Sequence, residues 1–205
     1  MKKIGIFGGT FNPVHNGHIN LVKGFKEALS LDKVIVIPTN IPPHKQADGI
    51  VSAEDRINML ELAFEEYDYV EISDIEIKMG GKSYTVNTLK KLKEIYPDDK
   101  FYLLVGSDMF YCFEKWYKAD EIMSMCTVCT TPREEYQDEF ADEIDMLYDY
   151  QLYIDPTDTH SKIINIPIID VSSTEIRDKI RNKDYDVPTC KKVLDYIIKK
   201  DLYND

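Results

Sequence analysis

The segment IGIFGGTFNPVHNGH, residues 4–18, decides how this chain is read. Its first five residues form a short apolar run of the kind that makes a buried strand. Gly8 and Gly9 follow, where a backbone without side chains can approach a ligand closely. His15-Asn16-Gly17-His18 then opens a stretch in which Ile19, Val22, Phe25 and Leu29 recur at helical spacing, so a helix is expected from about Gly17 to Leu31. The start of a helix carries free N–H groups and a partial positive charge, which suits phosphate. His15 and His18 lie three apart and share one face there, offering two imidazoles to phosphate oxygens. Taken singly, each histidine reads as a surface or capping residue. The whole pattern reads as a phosphate site.

Strand and helix alternate beyond it. KVIVIP (33–38) is a second strand, followed by the proline-rich loop PTNIPPHKQADG, which Pro42 and Pro43 keep extended. Ser52 with Asp55 resembles a capping box, opening a helix with Ile57, Leu60, Leu62 and Phe64 on its apolar face. YVEISDIEI (69–77) alternates like a half-buried strand, and TVNTLKKLKEIY (85–96) is an amphipathic helix. KFYLLVG (100–106) is a continuous apolar strand suited to the middle of a parallel sheet. TVCTT (127–131) and IINIPII (163–169) read as further strands, and two helices close the chain, from about Ser173 and about Thr189. This alternation predicts an α/β fold, a doubly wound parallel sheet covered on both faces. With no linker or internal repeat, residues 1–205 are expected to form one domain.

Composition narrows the function. The net charge is −12, from 37 acidic and 25 basic residues, which disfavours a nucleic-acid partner. A locally positive cleft for an anionic small molecule remains compatible with that balance. No apolar run is long enough for a bilayer and no leader-like segment opens the chain, so a cytoplasmic protein without a membrane partner is expected. The acidic stretch 134–149 reads as a solvated helix face, with an acidic binding surface as the alternative. Cys126 and Cys129 have CxxC spacing, but on a strand they point to opposite faces, and no second pair completes a zinc site. They read as buried reduced thiols, and no metal-ligating set is expected. The dinucleotide fingerprint GxGxxG is absent, and Gly81-Lys82-Ser83 supplies only the tail of a P-loop.

A second anion site is legible near the far end. Val171-Ser172-Ser173-Thr174-Glu175-Ile176-Arg177 begins a helix with hydroxyls and free N–H groups, and Arg177 one turn in is a forked donor. The same segment reads as a well-capped helix, with Ser172 and Glu175 as the capping box; one geometry serves both purposes.

GGTFNPVHNGH and VSSTEIR together resemble the two signatures of the HxGH nucleotidyltransferases, a family with a Rossmann-like doubly wound fold. Within that family, PTNIPPHK (38–45), Arg56 with MLELAF, SYTVNTLKKL (83–92), LLVGSDMFYCFEKW (103–116) and the ending VLDYIIKKDLY are similar to the nicotinate mononucleotide adenylyltransferase branch. The resemblance implies adenylyl transfer from ATP to nicotinate mononucleotide, giving deamido-NAD and pyrophosphate, with Mg2+ carried on the ATP. It implies ATP contacts from Gly8, Gly9, Thr10, Phe11, His15, His18, Gly106, Asp108, Ser173, Thr174 and Arg177. It implies acceptor contacts from Asn12, His44, Lys45, Ser83, Tyr84, Thr85 and Trp116. Catalysis would fall to His15, His18, Lys45 and Arg177. By chemistry alone Lys45 is a solvated loop lysine, Asp108 an N-cap or a ribose acceptor, and Trp116 a core residue or a stacking surface. The N–H groups at Ser83-Tyr84-Thr85 could receive a nicotinate carboxylate. Two departures stand out: Asn12 where many relatives carry aspartate, and Thr131-Pro132-Arg133 where the family often shows arginine-proline-glycine. Whether the chain is a homo-oligomer is left open.

Overall fold

The computed structural model describes residues 1–43, 49–106, 109–110, 112–131 and 161–204. Six parallel strands form one sheet: β1 (Lys3–Gly9), β2 (Lys33–Pro38), β3 (Val70–Ile72), β4 (Lys100–Leu104), β5 (Cys126–Thr130) and β6 (Ser161–Ile163). Their order across the sheet is β3-β2-β1-β4-β5-β6. Among the described residues the helices are α1 (Asn16–Ala28), α2 (Ala53–Phe64), α3 (Ile75–Met79), α4 (Thr85–Ile95), α5 (Ala119–Met125), α6 (Ser173–Arg181) and α7 (Lys191–Lys200), with a 3-10 turn at Phe113–Lys115.

Side-chain alternation along the strands builds two cores. Phe7, Val34, Val36, Tyr102, Leu104 and Cys129 face one way, against α1, α2, α6 and α7 through Phe25, Leu60, Ile176 and Val193. Ile4, Ile6, Ile35, Ile37, Leu103 and Cys126 face the other way, against α3, α4 and α5 through Ile75, Leu89 and Ile122. The expected doubly wound α/β architecture is therefore present. Cys126 and Cys129 are both free and buried, on opposite faces, and burial pushes each thiol up to about 12.

Three element boundaries correct the reading of the sequence. The strand expected over 69–77 ends at Ile72; Ser73 donates its N–H to Val36, and α3 begins at Ile75. The apolar residues of this stretch step by three from Ile72 to Ile75, which breaks the two-residue period of a strand. The strand expected over 163–169 is Ser161–Ile163 instead. Ladder pairing stops soon after Ile164 donates to the Thr130 carbonyl, because the next inward N–H, that of Ile166, goes to the Thr131 hydroxyl instead of a backbone carbonyl. Helix α1 stops at Ala28, where Leu29 caps it, short of the expected Leu31. Helix α2 also buries Arg56, Met59 and Ala63 while Ile57 is only half-buried, so its inner face is rotated from the expected stripe. Among the described residues, no helix is long and apolar enough to cross a membrane.

Candidate active site

Strands β1 and β4 are neighbours whose onward connections run to opposite sides of the sheet, the arrangement that leaves a crevice at strand C-terminal ends. Two cavities open there, of about 390 and 190 Å3. Gly8, Thr10 and Gly106 line both, so the chambers adjoin at the ends of β1 and β4.

The larger chamber is donor-rich. His15 caps α1 and His18 lies one turn in; their rings stack at 3.6 Å between centroids. The His18 Nδ1 accepts the His15 backbone N–H at 3.2 Å. That bond spends Nδ1 as an acceptor and leaves Nε2–H as the donor of the neutral ring. Phe11 meets the His18 ring edge-on at 5.0 Å and fixes its plane. Phe11 is otherwise buried beneath the site and lines neither chamber.

The start of α6 closes the same chamber. A reciprocal capping box holds it: Ser172 Oγ accepts from the Glu175 N–H at 3.1 Å, and the Glu175 carboxylate accepts from the Ser172 N–H at 3.0 Å. Ser173 Oγ donates to the Pro13 carbonyl at 2.8 Å. Arg177 donates through Nη1 to the Asn12 carbonyl at 2.8 Å and through Nη2 to Thr174 Oγ1 at 3.2 Å. A Cβ on Gly17 would fall 2.9 Å from Val171 Cγ1, so glycine is what lets the two helix starts approach. His15, His18, Ser173, Thr174 and Arg177 thus converge on one cavity, and no carboxylate lines it among the described residues. Asn12 also borders this chamber rather than the second one, and its side chain is fully engaged within the protein.

The smaller chamber is mostly apolar. Trp116 lines it, as do Ser83, Tyr84 and Thr85 at the start of α4. The Ser83 N–H goes to the Ile41 carbonyl and Ser83 Oγ accepts from the Asn40 N–H, which ties this helix start to the proline-rich loop. The Thr85 and Val86 N–H groups have no acceptor among the described residues, as expected for the first turn of a helix. Trp116 Nε1 and Thr39 Oγ1 are buried without a hydrogen-bond partner there.

Glu76, which the strand assignment concealed, reaches this chamber from α3. It accepts from Thr88 Oγ1 at 2.7 Å, while its Oε2 is buried without a partner. Burial raises its pKa above the usual carboxylate range, opposed by the Thr88 and Ser83 hydroxyls and by the Arg56 charge. Arg56 is itself buried and donates to the Thr10 carbonyl at 3.0 Å. Desolvation lowers its pKa, against the pull of Tyr203 and Glu76. A sequence signal for Glu76 did exist: a lone acid between isoleucines, just after the helix-starting pair Ser73-Asp74. His44, Lys45, Asp108 and Arg133, with the acidic stretch 134–149, lie outside the described residues.

Comparison with known proteins adds to this geometry. A model of the cytidylyltransferase-like family matches residues 6–179. A Caldicellulosiruptor saccharolyticus protein named "Probable nicotinate-nucleotide adenylyltransferase" is 40% identical over 204 residues, covering 99% of this chain and 100% of its own. An Oceanobacillus iheyensis protein of the same name is 34% identical over 206 residues, covering 99% and 97%. Among solved structures, Plasmodium falciparum nicotinic acid mononucleotide adenylyltransferase complexed with NaAD superposes with a TM-score of 0.77 at 20% identity, covering 100% of this chain and 98% of that one.

Proposed function

Because the chain belongs to the cytidylyltransferase-like family, and within it to the nicotinate-nucleotide adenylyltransferases, we infer that it transfers the adenylyl group of ATP to nicotinate mononucleotide. The products are deamido-NAD and pyrophosphate, a step of NAD biosynthesis. One observation carries the assignment of sites: a donor-rich chamber and an apolar chamber adjoin at Gly8, Thr10 and Gly106. A reaction that joins two nucleotides through their phosphates needs such a junction. In this reading residues 1–205 act as one nucleotidyltransferase domain.

A phosphate oxygen of the acceptor attacks the α-phosphorus of ATP, and the bond to the pyrophosphate oxygen breaks. No side chain serves as nucleophile; alignment and charge stabilisation lower the barrier. In the donor-rich chamber, His18 Nε2–H and His15 meet the ATP phosphates, while Gly8 and Thr10 let the nucleotide approach the backbone; Gly9 lines the apolar chamber alone. Ser173, Thr174 and Arg177 take the β- and γ-phosphates from the other side, where the departing pyrophosphate gathers charge. Lys45, beside His44, would neutralise charge between the two substrates, and Gly106 with Asp108 would receive a ribose. In the apolar chamber, Trp116 stacks on the pyridine ring, and the N–H groups at Thr85 and Val86 receive its carboxylate, because the Ser83 and Tyr84 N–H groups already donate to the Ile41 and Lys82 carbonyls. An amide would bring no negative charge to those donors, which favours the acid.

Mg2+ suits this arrangement as a companion of ATP. The donor-rich chamber presents imidazoles, hydroxyls and a guanidinium, which bind phosphate, rather than the oxygen ligands of a protein-held magnesium. On the triphosphate the ion would neutralise negative charge. A soluble cytoplasmic enzyme acting on small molecules fits the composition.

The test is pyrophosphate release from ATP with a panel of phosphate-bearing acceptors. Nicotinate mononucleotide should be preferred over phosphopantetheine and cytidylyl-type acceptors; absence of that preference overturns the choice of acceptor. His18→Ala should lower turnover by about 10²–10³ while changing the ATP dissociation constant by less than about threefold. Equal losses in both would favour a silent nucleotide-binding module.

A further inference from the structure

Asn12 is 5% exposed, and each polar atom of its side chain is occupied. Its Nδ2 donates to the Gly49 carbonyl at 2.9 Å. Its Oδ1 accepts from the Val51 N–H at 3.2 Å and from the Tyr203 hydroxyl at 3.0 Å. On the backbone side of the same residue, the carbonyl accepts from Arg177 Nη1 at 2.8 Å. Tyr203 follows α7 and is 7% exposed, so the far end of the chain reaches back under the β1–α1 connection. Two further bonds run alongside: Asn16 N–H to the Pro188 carbonyl at 2.9 Å, and Thr189 Oγ1 to the Val14 carbonyl at 3.0 Å.

The phenol is a dependable donor. Burial raises its pKa; Arg177 and Arg56 pull it down and Asp55 adds to the rise, so the group stays protonated across the working range of an enzyme. Arg177 has a long side chain whose rotamers cost entropy when a ligand fixes them. A carbonyl already in place for Nη1 lowers that cost before phosphate arrives.

We propose that Tyr203 is a positioning residue of the phosphate site, acting through Asn12 to hold the carbonyl on which Arg177 is anchored. This rests on the reading that the ATP phosphates occupy the chamber bordered by Arg177. Tyr203 touches no substrate, and its hydroxyl is separated from the guanidinium by the Asn12 residue alone.

A double-mutant cycle decides the matter, with ATP binding measured by calorimetry below the lowest melting temperature of the set. Tyr203→Phe keeps the buried ring and removes only the O–H. It should weaken ATP binding about fivefold, the effect of one hydrogen bond, and leave the KM for nicotinate mononucleotide within about twofold. In an Arg177→Ala background the same change should alter ATP affinity by less than about twofold. Equal losses in both backgrounds, or a lowered melting temperature with unchanged ATP affinity, overturn the proposal. A parent protein that binds ATP but does not use nicotinate mononucleotide would sink the functional reading and leave the cycle decisive. A parent protein that does not bind ATP sinks both.

Discussion

Glu76 shows what a single residue can cost and reveal. Its pKa is raised in the folded protein, chiefly by burial, so the folded state holds the proton more tightly than the unfolded one. The stability it contributes is complete below the ordinary value of 4.5 and is lost as pH rises through the folded pKa. Above that, an ionised carboxylate sits buried with one oxygen unpartnered. Glu76→Gln, which can still accept from Thr88, should therefore melt higher than the parent at about pH 7.5. The gap should close near pH 4.5; a gap unchanged over that range in thermal scans would contradict the assignment. At this scale the sequence disclosed the groups with distinctive chemistry, His15, His18 and Arg177, because helix starts and forked donors leave local patterns. It did not disclose that Asn12 would be consumed by Gly49, Val51 and Tyr203, since those partners lie 37 to 191 positions away. A partner set at that separation has no local signature.

At the scale of elements, α1 carries both a functional end and a tightly packed flank. A Cβ on Gly24 would lie 2.5 Å from Ile166 Cγ2 and 2.8 Å from Cγ1. Ile166 cannot yield easily: it is buried, and its N–H and C=O both pair with Thr131 Oγ1. Alanine gains up to about 1 kcal/mol of helix propensity, but overpacking costs about 1–3 kcal/mol. Gly24→Ala should therefore lower the melting temperature by about 2–6 °C; a rise would show that propensity wins. Strands with continuous apolar runs, such as KVIVIP and KFYLL, were legible because a central strand of a parallel sheet is buried on both faces. The β3–α3 boundary and the short edge strand β6 were not. Edge strands answer to the pairing available, which at Ile166 passes from the β5 backbone to the Thr131 hydroxyl, rather than to their own hydrophobic pattern.

For the molecule as a whole, the sheet order brings a motif near each end of the chain to one crevice, and two chambers meet across it. A ligand spanning both should bind more tightly than either half, and ligand affinity appears as stability. Deamido-NAD should thus raise the melting temperature more than AMP or nicotinate mononucleotide at equal concentration. Matching shifts from product and one half would mean that the second chamber contributes nothing. The α/β class and strand count followed from the alternation of patterns, whereas the adjoining of the chambers needed three dimensions. The placement of Cys126 and Cys129 has a separate use. They sit three residues apart on β5 yet are sealed beneath different helical layers, with thiols pushed up to about 12. Alkylation at graded denaturant, followed by peptide mapping, would therefore time the opening of each layer by itself. The molecule carries two built-in clocks, one for each side of its sheet.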